Sequence, residues 1–450
     1  MEKLNEIIEK ANYCLNCKTK PCTTGCPLGN NIPDFIDCIK KGDYRKAYQI
    51  LNETTVLQSI CGRICPHNKQ CQGKCVRGIK NDPVSIGELE AFIGDMAIKE
   101  NWGIDKEKNM DNEIRQERIT KNVEVENTNA DKKIAVIGSG PAGLTCATFL
   151  AKKGYKVTIY EKHDKMGGLL RYGIPDFRLD RDVLDKQISR ILDLGIEVIY
   201  EKKLGKDYNL EYLKKNYDAV FLAFGANISR KMNILGESLK GVFGGNELLE
   251  SREHPNYNGK KVAVIGGGNV AMDVSRTIKR LGAERVYVVY RRAEEQMPAE
   301  RKEIEDAKKE GVEFLFQHDV IKVKSKEDFD KNKDADNLSG QAVGSIECVK
   351  TKLIHKDGDD RLVPVDIEGS NFNVDVDYVV MAVGAEAESG LLNQLGVRLN
   401  KWGYIDVDEN FMTSVPNVFA GGDLAGTKAT VAWAARNGRD AADAICSIIK

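Results

Sequence analysis

KIAVIGSGPAGLTCATFLAKKGYKVTIYEK, residues 133–162, reads as strand, turn, helix and strand in direct succession. Ile134, Ala135, Val136 and Ile137 form a short apolar run; Gly138-x-Gly140-x-x-Gly143, with Pro141 and Ala142 inside it, opens a helix; a second run from Lys156 to Tyr160 ends at Glu161. Each part has a mechanical task. Gly138 makes the tight turn, Gly140 lets backbone N–H groups approach a pyrophosphate, Gly143 lets the helix lie close on its strand, and Glu161 is placed for ribose hydroxyls. A lone GxGxxG says little, but here strand, helix and acid all fall where the mechanism needs them. The segment is therefore expected to bind a dinucleotide in an α/β, Rossmann-like domain.

The pattern recurs at KKVAVIGGGNVAMDVSRTIKRLGAERVYVVYRR, residues 260–292. Gly266-x-Gly268-x-x-Ala271, carrying Asn269 and Val270, follows a strand and opens a helix, but the next strand ends in Tyr290-Arg291-Arg292 where the first had Glu161. An acid there suits a 2′-hydroxyl, whereas two guanidinium groups suit a 2′-phosphate, so NADP(H) is expected over NAD(H). The competing reading is an arginine pair that simply caps a solvated strand end. A third cue is NVFAGGD, residues 417–423, with an alanine-rich helix from about Ala429 to Ile449. This arrangement resembles the two-dinucleotide-domain flavoprotein superfamily. There, Gly422-Asp423 would close the FAD domain and the following helix would aim its positive end at the flavin. The chain would leave that domain near Gly225 and return near Gly384, where YDAVFLAFGA and DYVVMAVGA look alike.

Upstream, nine of the 12 cysteines fall within the first 75 residues. One run is Cys14-x2-Cys17-x4-Cys22-x3-Cys26-Pro27 and the other is Cys61-x3-Cys65-x5-Cys71-x3-Cys75, with Cys38 between them. The first resembles the ferredoxin signature, in which three close thiolates hold one [4Fe-4S] cube and a fourth, before Pro, reaches a second. Zinc is the main alternative, because Cys-x2-Cys is half of a zinc ribbon. No secretory h-region precedes these thiols, so disulfides are disfavoured. Cys146, Cys348 and Cys446 each stand alone and read as small apolar fillers. With no thiol pair beside the flavin, the clusters are the natural outlet for electrons.

Lys plus Arg (67) balance Asp plus Glu (68), so no bulk field draws the chain to nucleic acid or an anionic membrane. No apolar run reaches the ~20 residues that cross a bilayer, and the chain is read as cytoplasmic. Four segments follow: a helical domain with two [4Fe-4S] clusters at 1–105, a charged linker at 106–131, an FAD domain at 132–226 and 383–450, and an NADPH domain at 227–382. The polar stretch between Ser325 and Gly344 is taken as a surface excursion.

Taken together, CGRICP (61–66), PVSIGELEAFIGD (83–95), VIGSGPAGL (136–144), GGLLRYGIPDFRL (167–179), VIGGGNVAMD (264–273), YRRAEEQMP (290–298) and FAGGD (419–423) resemble the small subunits of NADPH-dependent glutamate synthase, over essentially the whole chain. The flavin and iron-sulfur end of dihydropyrimidine dehydrogenase and the large subunit of NADH-dependent reduced ferredoxin:NADP oxidoreductase are similar too. The resemblance implies that Cys14, Cys17, Cys22 and Cys75 hold one cluster and that Cys26, Cys65, Cys71 and Glu90 hold the other. Independently, Ile86, Glu90, Ile93 and Ala97 share one helical stripe, where a carboxylate needs a partner. A Glu90 that reaches solvent, with Cys61 as the ligand, is the alternative. The resemblance also implies FAD contacts at Ala142, Glu161, Gly168, Leu169, Arg178, Asp423 and Thr430, and NADPH contacts at Asn269, Val270, Ala271, Arg291 and Arg292.

The implied mechanism places the nicotinamide of NADPH over the FAD ring and passes hydride to flavin N5, without a side-chain acid or base. The two clusters then relay single electrons to a larger catalytic subunit, expected to be that of glutamate synthase. Competing readings are a ferredoxin-linked or flavin-bifurcating transhydrogenase subunit, the input subunit of a pyrimidine reductase, or a redox-sensing protein without turnover.

Overall fold

The computed structural model describes residues 2–104, 129, 131–326, 340–356 and 359–449. Most of the linker expected at 106–131 and most of the polar stretch between Ser325 and Gly344 lie outside these residues. The chain forms two compact units: Met1–Arg171 with Asp176–Gly225 and Ala387–Lys450, and Tyr172–Pro175 with Ala226–Glu386.

The first unit is built on a parallel five-stranded sheet in the order Val418–Ala420, Ala219–Leu222, Lys133–Ile137, Lys156–Tyr160, Glu197–Ile199. The fingerprint strand is central, so the strand order reverses beside it, which is where ligands bind in open α/β sheets. At that switch point Gly138 has φ 99°, and a Cβ there would stand 2.7 Å from the Ala223 oxygen. The helix Pro141–Lys152 starts on proline, whose missing N–H costs nothing in a first turn. Against it packs the C-terminal helix Val431–Ile448. That helix begins two residues later than the alanine run suggests. Ala429 is left-handed (φ 44°) and Thr430 is extended, its hydroxyl accepting from Trp433 N as the N-cap.

The cysteine-rich segment forms a helical layer in the same unit. Helix Ile32–Lys40 stops at Gly42 (φ 74°), and Asp43 caps the next helix, Tyr44–Leu51, by accepting from Lys46 N. Phe35, Ile36, Ile39, Tyr48 and Leu51 bury their side chains with Leu89 and Ile93 of helix Ile86–Lys99. Side-chain donors from the nucleotide-binding part then meet carbonyls of this layer. Arg439 Nη1 donates to Leu28 O (2.8 Å) and Thr54 O (3.2 Å), Arg436 Nη1 to Pro27 O (3.2 Å), and Gln187 Nε2 to Val56 O (2.7 Å). Arg190, on helix Arg181–Leu192, donates to Tyr48 Oη at 2.7 Å. Buried carbonyls outside regular structure need such partners.

The second unit repeats the plan: a parallel sheet in the order Val242–Gly244, Tyr378–Met381, Lys261–Ile265, Arg285–Tyr290, Glu313–Phe316, again with the fingerprint strand central. An antiparallel sheet that the sequence reading did not anticipate joins it, with Val343–Lys356 pairing with His318–Ser325, Asp359–Asp366 and Phe372–Asp375.

The fingerprint helix of this unit, Asn269–Arg280, is pinned through Arg276, which is 5% exposed. Arg276 pairs with Glu303 and, at 2.7 Å, with Glu310, which Arg280 also meets at 2.6 Å. Burial raises the Glu310 pKa, but the bonds from Arg280 and Arg276 win and hold it at about 2, below its ordinary 4.5. The pairing therefore stabilises fully above pH 4.5 and is lost as pH falls toward 2. Arg276→Met strands a buried carboxylate and is expected to cost about 3 kcal/mol at neutral pH. Hydrogen exchange of the 269–280 amides checks this: protection should drop in the variant and lose its dependence on acid.

Candidate functional site

At the first fingerprint, a Cβ added to Gly140 would have nothing within 4 Å, whereas one on Gly168 (φ 51°) would stand 2.8 Å from Gly140 Cα. The Gly168-Leu169 turn thus closes on the fingerprint tip and leaves one side open. Glu161 is 3% exposed, and its carboxylate is aimed by Ser139 N (3.2 Å) and His163 N (3.0 Å). Ser139 Oγ also bonds to it and accepts from Gly167 N at 2.9 Å. A carboxylate has about four acceptor positions, so capacity for ligand hydroxyls remains. On the other side of the tip, Gly422 packs on Ala142 and donates its N–H to Asn437 Oδ1 at 3.1 Å. Asp423 Oδ1 and Thr427 Oγ1 are sealed from water without a partner, and burial pushes the Asp423 pKa up to about 6. A polyol chain such as the ribityl of FAD supplies the hydroxyls those atoms lack, so the cradle fits FAD. Arg178 is half-buried on the stretch leading into helix Arg181–Leu192.

The second cradle follows the same rules. Gly266 (φ 138°) passes so close to Ala382 that a Cβ would stand 2.2 Å from its oxygen, while Gly268 faces open space. Asn269 Oδ1 accepts from Glu300 N (2.9 Å) and Ala299 N donates to Gly267 O (3.0 Å), which fixes the turn. Val270 is half-buried beside Gly245, and Ala271 is fully buried. Gly384 (φ 129°) lies at the strand end beside Arg230. The backbones of Arg291 and Arg292 are held by Thr351 Oγ1 (2.7 Å) and Gln317 N (3.0 Å). Arg291 is exposed, and Arg292 Nε is buried without a partner. An unpaired guanidinium nitrogen beside an exposed second cation fits an anion such as a 2′-phosphate.

The cysteines separate into two sets. Cys14, Cys17, Cys22 and Cys75 line one cavity, walled by Ile32, Val84 and Ile86. Burial pushes the Cys22 pKa up to about 11, and Cys14 and Cys75 add to it. In the second set, burial and the neighbouring Glu90 and Cys61 push Cys26 up to about 12. Cys71 is raised by burial, Cys26 and Glu90, and Cys65 by its bond with Cys61, burial and Glu90. Glu90 is 5% exposed and burial pushes it up to about 8, against the opposing bond from Asn30 Nδ2 at 3.2 Å, which Thr54 orients. Closely packed thiols and a carboxyl suit a metal cluster that takes them in the ionised form, and iron-sulfur clusters take thiolate ligands in fours. Among the described residues, no three His, Cys, Asp or Glu side chains converge tightly enough for a single metal ion.

Cys61 is 1% exposed on helix Gln58–Ile64, its free thiol hydrogen-bonded to that of Cys65, and Cys38 packs half-buried against the helical core. Cys146 and Cys348 are fully buried, while Cys446 is half-buried beside Lys153 and Tyr155. Sequence reasoning missed the residues that join the thiols to the nucleotide cradle. Gln70, next to Cys71, donates to Thr430 Oγ1 at 3.2 Å, and Arg436 holds the carbonyl of Pro27, next to Cys26. No periodicity or motif marks them.

Residues 132–438 match the family described as pyridine nucleotide-disulphide oxidoreductase, and residues 1–102 match dihydropyrimidine dehydrogenase domain II, 4Fe-4S cluster. The glutamate synthase [NADPH] small chain of Azospirillum brasilense is 34% identical over 98% of this chain and 89% of its own length. The chain belongs to the glutamate synthase small-chain family. A second relative, the NADP(+)-dependent formate dehydrogenase subunit beta of Moorella thermoacetica, is 36% identical over 95% of this chain, which spans 59% of that relative. FprA of Mycobacterium tuberculosis, solved with NADPH, shares the fold: TM-score 0.59, 20% identity, 70% of this chain and 84% of that one. The small-chain family member described here is an NADPH-dependent oxidoreductase that uses FAD and 4Fe-4S cofactors. No described helix is long and apolar enough to cross a membrane.

Proposed function

We propose that this chain is the electron-input subunit of a cytoplasmic glutamate synthase. The bound cofactors would supply the redox chemistry, turning one hydride from NADPH into two single electrons for a larger catalytic subunit. The observation that carries this reading is that both thiol sets share one compact unit with the first nucleotide cradle, and that the residues beside Cys26 and Cys71 of the second set are bonded to its C-terminal helix through Arg436, Arg439 and Gln70.

In this reading the chain's own groups bind and orient. Glu161 and Asp423 accept from FAD hydroxyls, with Ala142, Leu169, Arg178 and Thr430 completing the cradle. Asn269, Val270 and Ala271 shape the NADPH turn, and Arg291 with Arg292 takes the 2′-phosphate. Cys26, Cys65, Cys71 and Glu90 form the cluster site facing the C-terminal helix. Cys14, Cys17, Cys22 and Cys75 form the outer one, beside Leu15 and Val76, which are 51% and 38% exposed. Exposed apolar side chains next to an electron exit suit a docked protein. The proposed domains remain 1–105, the linker 106–131, 132–226 with 383–450, and 227–382.

The 36% identity to a formate dehydrogenase subunit supports a second reading, in which the same input module serves a different redox partner. Anaerobic affinity purification of the tagged chain from its own cells, followed by mass spectrometry, separates the two. A stoichiometric large chain with glutamine amidotransferase activity is expected; a formate-oxidising or small flavoprotein partner would replace the glutamate synthase reading with the second.

Two substitutions test the assignments. Glu90→Ala is expected to cut bound iron about in half, while Cys61→Ala keeps it, as read by iron content and electron paramagnetic resonance. If Cys61→Ala is the variant that loses iron, the ligand assignment reverses. Replacing Arg291 and Arg292 with Ser removes charge-assisted bonds of about 1.5–3 kcal/mol, so the kcat/KM preference for NADPH over NADH should fall by roughly 10- to 100-fold. An unchanged ratio would show that the pair caps a strand end.

A further inference from the structure

We infer that Gln70 is a positioning residue for the flavin: it fixes the Thr430 hydroxyl as a hydrogen-bond donor toward FAD. The inference rests on the reading above that Thr430 contacts FAD. A threonine hydroxyl has one proton to donate and two lone pairs that accept. In this structure both lone pairs are engaged. Gln70 Nε2 donates to Thr430 Oγ1 at 3.2 Å and Trp433 N donates to it at 3.4 Å. Neither bond uses the hydroxyl proton, and no hydrogen bond from it to a described residue is formed. The proton is thus left for an acceptor outside the chain. Asp423 Oδ1 and Thr427 Oγ1, on the turn leading to Thr430, are buried and equally unpartnered, so that turn as a whole lacks a polar ligand.

The geometry of Gln70 fits this task. It is 8% exposed, and it follows a 3-10 turn (His67–Lys69) that its own backbone N–H closes onto His67 O. Its backbone continues directly into Cys71, one of the proposed cluster ligands. One residue therefore sets the hydroxyl at the head of the C-terminal helix from the cluster side of the unit. A side chain that only accepts would do the opposite: a carboxylate at position 70 would take the Thr430 proton for itself.

The test uses the full chain with its clusters loaded and compares Gln70→Asn, Gln70→Glu and Thr430→Val. The dissociation constant of FAD is read by fluorescence and the midpoint potential of bound flavin by redox titration, with iron content measured alongside. Gln70→Asn is too short to reach Thr430 but keeps an amide beside Cys71, so iron should be retained while FAD binding weakens about threefold. Gln70→Glu should weaken it by about three- to tenfold, the worth of one hydrogen bond, and lower the flavin potential. In the Thr430→Val background, neither Gln70 change should have any further effect. If Thr430→Val alone changes neither affinity nor potential, the reading of Thr430 as an FAD contact fails. If Thr430→Val has an effect but the Gln70 variants have none, the inference about Gln70 alone fails. It fails equally if Gln70→Glu acts in full on the Thr430→Val background, which would mark a through-space charge effect.

Discussion

Gly438 has no side chain because there is no room for one. A Cβ would stand 2.1 Å from the Ala142 oxygen and 3.0 Å from Cys146 N, so the C-terminal helix and the first fingerprint helix touch backbone to backbone. Much of the first unit depends on that approach. It brings Gly422 onto Ala142 and sets Asp423 beside the fingerprint tip. It also fixes the azimuth of the C-terminal helix, so that Arg436 and Arg439 face the helical layer and grip Pro27, Leu28 and Thr54 through their carbonyls. A bulkier residue at this point would act on the cradle and on the thiol layer together.

Some of the groups that break the ordinary rules of burial lie at the sites assigned to cofactors. Glu90 is a carboxyl on an apolar stripe, Asp423 and Thr427 carry sealed oxygens without partners, and Arg292 keeps a buried nitrogen unpaired. Each would cost about 1–3 kcal/mol if left so in a finished structure. By contrast, Arg276 is as deeply buried but fully surrounded by Glu303, Asp306 and Glu310, and it belongs to the framework rather than to a site.

The legibility of the sequence followed the range of the interactions. Both fingerprints could be read because every requirement falls within a short stretch: a strand, a glycine with positive φ at Gly138 and Gly266, and a helix. Glu90 stood out because helical period alone places it with Ile86 and Ile93. The start of the C-terminal helix was misplaced because composition favours helix at Ala429, whereas the turn after Gly426 forces a left-handed residue there. Nothing local announces that Gln70 meets Thr430, that Arg190 reaches Tyr48, or that Arg439 meets Leu28; these pairs are distant in sequence and chemically unremarkable one at a time. The antiparallel sheet around Val343–Lys356 escaped notice because its strands carry polar residues on the open face and border segments of high charge.

FprA shows that the fold shared with this chain covers about 70% of it. On paper, the cysteine-rich segment is thus a detachable cassette. The surface under it says otherwise. Were residues 1–104 removed, Arg190 would lose Tyr48 and Trp102, Gln187 would lose Val56, and Arg436 and Arg439 would lose their backbone acceptors. Two helices of the nucleotide-binding half, Arg181–Leu192 and Val431–Ile448, are thus shaped to receive it. A truncation that removed the segment would therefore strand buried donors on both helices rather than leave a finished surface.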